Sequence, residues 1–255
     1  MEILAILAGG MLAGLIGALL GLGGGIVAVP FVNLVMGVPM HVAAGAGLIS
    51  TLSVSCGAAG RYLRHGDLVD VEQAFRIELF AAAGGLFGGI AVGWLSGPVL
   101  QVLFSVTMVY AAVHIIRTAG SKEEKLAPGE VPAARRLLAF GACFVAGVMS
   151  GFFGIGGGIV IVPVLHLVMS LPFKKATATS NFMMGMTAVP ALCGFIARDQ
   201  LDLTVACPLA AGVLIGATLG ARLMPRLRTS LLKSIFALAL VAAAFEMARK
   251  GISAW

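Results

Sequence analysis

The decapeptide Gly21-Leu22-Gly23-Gly24-Gly25-Ile26-Val27-Ala28-Val29-Pro30 returns 133 residues later as Gly154-Ile155-Gly156-Gly157-Gly158-Ile159-Val160-Ile161-Val162-Pro163. The match continues to Pro39 and Pro172, with 12 of 19 positions identical between 21–39 and 154–172. The chain is therefore two copies of one unit, each with a glycine-rich break inside an apolar run. A donor-rich backbone break between membrane-length apolar segments is a common way to build a transporter binding site. The bland alternative is a pair of helix crossings lined with glycine.

Charge content settles the environment. Only 11% of the 255 residues are charged and 60% are hydrophobic, whereas soluble domains carry roughly a quarter charged residues. The apolar residues form long runs without the two-residue alternation of a barrel, so the expected class is an all-α polytopic membrane protein. The formal net charge of +6 sits at the ends of the apolar runs, which suits topology signals better than nucleic-acid binding. No cleaved signal peptide is read at the N-terminus. Cys56, Cys143, Cys193 and Cys207 lie in apolar stretches without metal-ligand spacing, and core packing is expected of them.

In order, the first repeat (1–117) reads as a broken apolar segment over 4–36 and helices near 42–62, 74–95 and 98–117. A polar linker, 118–133, follows. The second repeat (134–255) has the break in 137–170 and helices near 175–197, 203–223 and 229–248. Gly85, Gly89 and Gly93, and Gly212, Gly216 and Gly220, form ladders four residues apart and read as close-packing seams.

Basic residues collect on cytoplasmic loops. Arg61 and Arg64, the linker, Lys174 with Lys175, and the 222–228 turn define one face. Arg198, offset by Asp199 and Asp202, falls on the other, and Arg249 and Lys250 run against the bias. The second repeat is thus inverted relative to the first. Each half then crosses an odd number of times, which makes each broken segment a hairpin with its glycine tip inside the membrane.

Such a tip leaves backbone N–H groups unpaired at a helix start, an arrangement that suits an anion. The candidate substrate-binding residues are Gly23, Gly24 and Gly25 with Gly156, Gly157 and Gly158. The following helices add Ser50 and Thr51 in the first copy and Thr179, Ser180 and Asn181 in the second. No Walker-type lysine or threonine follows the glycines, which argues against a nucleotide fingerprint. His166 reads as a satisfied core histidine or a proton-sensitive site, and Arg76 and Glu78 as interfacial. On that reading no carboxylate lies at mid-membrane.

The doubled glycine-proline motif, Pro39, Pro172 and the Ala176-Thr177-Ala178-Thr179-Ser180-Asn181 run resemble the sulfite exporter TauE/SafE family over nearly the whole chain. The resemblance implies a transporter of sulfite, thiosulfate, a sulfonate or another small organic anion. The first copy departs from the second: Ala44-Gly45-Ala46-Gly47-Leu48 stands where the second has its Thr/Ser/Asn cluster.

The expected function is therefore export of a small sulfur-containing or organic anion by alternating access, from a cell inner (plasma) membrane. Its partners are that anion and the lipid bilayer, with no nucleic acid, and self-association is compatible with the sequence. No cofactor, metal or catalytic residue is expected, since no nucleophile–base pair or metal cluster appears at depth. The alternatives are a proton-coupled anion importer and a non-transporting accessory subunit.

Overall fold

The computed structural model describes residues 2–64, 68–119, 132–224 and 229–253. The first half contains α1 (Glu2–Leu20), α2 (Gly25–Pro30), α3 (Met40–Arg64), α4 (Val71–Ala91) and α5 (Gly97–Ala119). The second contains α6 (Ala133–Phe153), α7 (Gly158–Pro163), α8 (Phe173–Ile196), α9 (Leu203–Leu223) and α10 (Thr229–Ser253). Among the described residues there is no strand, and six helices are long and apolar enough to cross a membrane. The fold is the expected helical membrane protein. Most of the 118–133 linker (120–131) and the basic residues at 225–228 lie outside the described residues.

The breaks fold alike because their sequences are alike. α1 ends where Gly21 turns at φ +71, and α6 ends where Gly154 turns at φ +71. Pro30 and Pro163 end the two short helices, since a proline cannot donate into the α-ladder. Each is followed by a π-helical turn, Phe31–Val35 and Val164–Val168. The turns close the same way: Val38 N–H donates to the Val32 carbonyl, and Leu171 N–H to that of Leu165.

Glycines set how closely the long helices approach. A Cβ on Gly212, Gly216 or Gly220 of α9 would collide with the carbonyls of Leu7, Met11 and Leu15 on α1. The matching seam in the other half is Gly84 and Gly88 of α4, which meet the carbonyls of Phe144 and Val148 on α6. The ladder singled out in the sequence, Gly85 and Gly89, forms a second seam on α4 against Thr187 and Ala191 of α8, and Gly93 meets the Arg198 guanidinium. Close backbone approach of this kind gives dispersion contact without large side chains.

The same contacts fix helix directions. α1 runs parallel to α9, and α4 runs parallel to α6 and α8. α3 and α8 run antiparallel: Gly45 meets Phe195, while Ser55 meets Gly185 and donates to the Phe182 carbonyl. α5 and α10 also oppose, with Gly251 beside Pro98 and Gln101. Helices of one half therefore pack largely against helices of the other, so neither half buries its surface alone. Asp70 and Asp202 cap α4 and α9, accepting from the amides of Gln73 and Thr204.

One expectation about packing changes. Only Cys143 is buried; Cys56, Cys193 and Cys207 are exposed on outward helix faces. A small thiol is apolar enough for a lipid-facing position.

Candidate functional site

The two glycine tips meet halfway along the long helices. Thr51 is the twelfth of the 25 residues of α3, and Met184 the twelfth of the 24 residues of α8. Both side chains lie against both tips. A Cβ built on Gly23 would stand 3.2 Å from Met184 Sδ and 3.3 Å from Thr51 Oγ1, and one on Gly156 would stand 3.0 Å and 3.1 Å from the same atoms. The tips also touch each other: a Cβ on Gly25 would strike the Gly154 carbonyl, and one on Gly158 that of Gly21. Residues 21–26 and 153–159 are buried, so the junction is occluded.

Donors collect there. Among the described residues, the amides of Gly23, Gly24, Gly25 and Ile26 donate to no backbone carbonyl, and neither do those of Ile155, Gly156, Gly157, Gly158 and Ile159. The buried hydroxyls of Ser50, Thr51 and Thr177 likewise have no hydrogen-bond partner. Ser50 Oγ sits where a Cβ of Gly24 would go, and Thr177 packs on Gly21. Unpartnered buried polar groups are costly, so a cluster of them makes this junction the candidate site.

The remaining candidates take different posts. Ser180 Oγ donates to the Gly21 carbonyl at 3.1 Å, and Asn181 Nδ2 to the Ala18 carbonyl at 2.9 Å. Tyr62 also donates to that Ala18 carbonyl, at 2.9 Å. These three hold the end of α1 and its tip from behind, although Asn181 Oδ1 is left unpartnered. In the other copy the counterpart of Ser180 is Gly47, on which a Cβ would stand 2.6 Å from the Gly154 carbonyl oxygen. At this one position the first copy has no room for a side chain where the second has a hydrogen-bonding serine. Thr179 turns elsewhere, accepting from the Asp70 amide at 3.0 Å, and takes no place at the tips.

Sequence reasoning missed Met184 and left Thr177 out of the site. The repeat itself carried the first signal, since 133 residues separate Met184 from Thr51. His166 is a satisfied histidine: its Nδ1 donates to the Leu171 carbonyl at 2.7 Å. The residue 133 earlier, Asn33, donates to the Val38 carbonyl at 2.9 Å and does the same work.

Glu78 requires correction. It is not interfacial but buried, at 4% exposure, inside the α4 segment that is long enough to span. Thr187 Oγ1 donates to its Oε1 at 2.7 Å, and Oε2 has no hydrogen-bond partner. The chain does carry a carboxyl group within the bundle.

A polytopic helical membrane protein built around two broken helices that meet in its interior belongs to a class that includes many membrane transporters. More particularly, the chain belongs to the sulfite exporter TauE/SafE family, whose model matches residues 6–247. It is a transporter and not an enzyme. It is 24% identical to the probable membrane transporter protein YunE of Bacillus subtilis, covering 95% of this chain and 96% of that protein. A probable membrane transporter protein of Xylella fastidiosa is 32% identical, covering 91% of this chain and 90% of its own. One of Haemophilus influenzae is 27% identical over 93% and 95%. No solved structure matches the chain.

Proposed function

We propose that the protein exports a small sulfur-containing anion, such as sulfite, thiosulfate or a sulfonate, across a cell inner membrane by alternating access. The observation that carries this reading is the cluster at the tips, where the free hydroxyls of Ser50, Thr51 and Thr177 accompany unpaired amides. Hydroxyls and amides donate to an oxyanion, and the two helix starts favour its charge. Glycine at the tips lets an oxyanion reach the backbone itself. The sulfur specificity rests on the family's name.

Alternating access is often built on halves of opposite orientation. Two observations support the inverted repeat: the equivalent helices α3 and α8 oppose, and so do α5 and α10. An axis along the membrane normal would leave equivalent helices parallel. The experiment is uptake of ³⁵S-thiosulfate into proteoliposomes holding the purified full chain. Saturable flux that competes with sulfite supports the reading, and flux no greater than in empty vesicles sinks it. Import coupled to protons is a second reading, favoured by the buried carboxyl of Glu78; the direction of net flux with an inside-negative potential and an inside-alkaline pH gradient imposed together separates the two.

A further inference from the structure

A carboxyl group inside a membrane bundle is expensive, and when charged it is found with a cation or a water-filled path. Glu78 has neither an ion-pair partner nor a second hydrogen bond among the described residues. It lies in the small core where α4, α6 and α8 surround the second broken arm. Ile77 and Ala81 beside it belong to the same cluster as Ile161 of α7 and Met184. The titratable group facing it from α6 is Cys143, and from α8 its hydrogen-bonding neighbour is Thr187. On α4 itself, Arg76 points outward to pair with Glu72 at 2.7 Å.

We propose that Glu78 is a proton-binding site whose proton loads together with the transported anion. A neutral acid suits this site: Oε1 accepts from Thr187, and Oε2 carries the proton without needing a cation. The link to the tips is short. Thr187 stands three residues, about one turn of α8, beyond Met184, whose sulfur lies between Gly23 and Gly156. An anion at the tips disfavours a second negative charge nearby, so its arrival favours the protonated acid. The α4–α8 contact is the seam of Gly85 and Gly89, where backbone touches backbone with no large side chain to unlock.

Comparison of the two copies separates function from architecture here. Aligning the caps Asp70 and Asp202 places Ala210 opposite Glu78, and the 133-residue repeat places Val54 opposite Thr187. The fold is built in one half with an apolar pair where the other has an acid and a hydroxyl. Packing at the equivalent place is thus achieved without a polar pair. A transported proton needs only one such site. The proposal rests on the anion-transport reading above for its second half and on Glu78 alone for its first.

The test has two arms, both on the full chain in lipid. Infrared difference spectra of wild type and Glu78→Gln report the carbonyl stretch of a protonated carboxylic acid. That band is expected in the wild type and absent from the variant; its absence from both overturns the proposal. In the second arm, proteoliposomes hold equal ³⁵S-thiosulfate inside and outside, with the potential clamped at zero and the lumen alkaline. Thiosulfate has no titratable proton near neutrality, so any coupled proton belongs to the protein. The wild type is expected to accumulate label in the alkaline lumen, at close to tenfold per unit of pH for one proton per monovalent or divalent anion. Glu78→Gln is expected to redistribute none. Accumulation that persists in the variant, accumulation on the acid side, or complete loss of exchange in the variant overturns the coupling. If wild-type protein moves no thiosulfate, the choice of anion has failed, and the infrared band alone decides whether Glu78 holds a proton.

Discussion

Thr51 and Met184, equivalent residues of the two copies, lie side by side between Gly23 and Gly156. They stand at the same height on two antiparallel helices, so they mark the place about which the two halves correspond. One offers a free hydroxyl and the other a thioether. The centre of a nearly symmetric protein is thus chemically lopsided, with a donor on the α3 side and a soft, polarizable wall on the α8 side.

Thr51→Val keeps the shape of the side chain and removes the donor. A hydrogen bond to a charged partner is worth about 1.5–3 kcal/mol, which is roughly ten- to a hundredfold in apparent affinity. Thiosulfate flux should fall by that factor with thermal stability unchanged or slightly raised, because an unpartnered hydroxyl is removed. Met184→Leu should cost under threefold. Equal effects of the two substitutions would remove Thr51 from the site.

Gly24 and Gly157 stand at equivalent positions but in different backbone states, with φ −67 and φ +71. A Cβ on Gly24 meets a side-chain atom, Ser50 Oγ, which can rotate away; on Gly25 it meets the fixed Gly154 carbonyl. Gly24→Ala should leave folded protein in the membrane and depress flux about tenfold by displacing the Ser50 donor. Gly25→Ala should lose folded protein. Restoring the space with Gly24→Ala/Ser50→Ala should not restore flux; full recovery would reduce Ser50 to packing.

The repeat, the two breaks and the helix order were legible because a duplicated sequence folds in duplicate. The charge islands pointed to tips inside the membrane, and the tips lie buried in the bundle. What escaped was set by the environment of single faces. Glu78 looked interfacial because Glu72 and Arg76 precede it closely in sequence. On a helix, however, Arg76 lies about 200° away from it, while Ala74, Ala81 and Gly85 share its face at spacings of four, three and seven. All three are buried, and that periodicity was available in the sequence. The contact of Thr179 with the start of α4 was not available, since residues 109 apart are joined only by tertiary packing.

His166 and Asn33 perform one task at equivalent places, closing the π-helical turn onto a carbonyl. His166→Asn should therefore keep both fold and flux, with an unchanged dependence of flux on pH. His166→Ala loses the bond and should lower unfolding stability by about 1 kcal/mol. A pH profile flattened in His166→Asn would move the proton site from Glu78 to this ring.

The orientation of the halves is open to labelling. Gly93 lies against Arg198, so the α4–α5 turn and the α8–α9 connection share a face. In a background with Cys56, Cys143, Cys193 and Cys207 replaced by Ser or Ala, cysteines at Ser96 and Gln200 should react with an impermeant maleimide from one side. A cysteine at Leu68, before α4, should react from the other. Reaction of all three from a single side would dissolve the inverted repeat.

Charge per cycle offers the last and most quantitative check. A membrane potential of about 100 mV is worth roughly 2.3 kcal/mol for each charge moved. A bare divalent anion moving outward gains about twice that, which supports a concentration ratio on the order of two thousandfold at about 1.4 kcal/mol per decade. If Glu78 carries one proton with it, the complex moves as a single negative charge, and the same potential supports only about fiftyfold. Thiosulfate held in proteoliposomes under a potassium-diffusion potential, with no pH gradient, should settle near the lower ratio for wild type. Glu78→Gln, which translocates no proton, should settle near the higher one. The variant would then be the stronger concentrator and the wild type the one tied to pH, an ordering opposite to that of simple damage. Wild type at the higher ratio would return export to the potential alone and leave Glu78 as a structural acid.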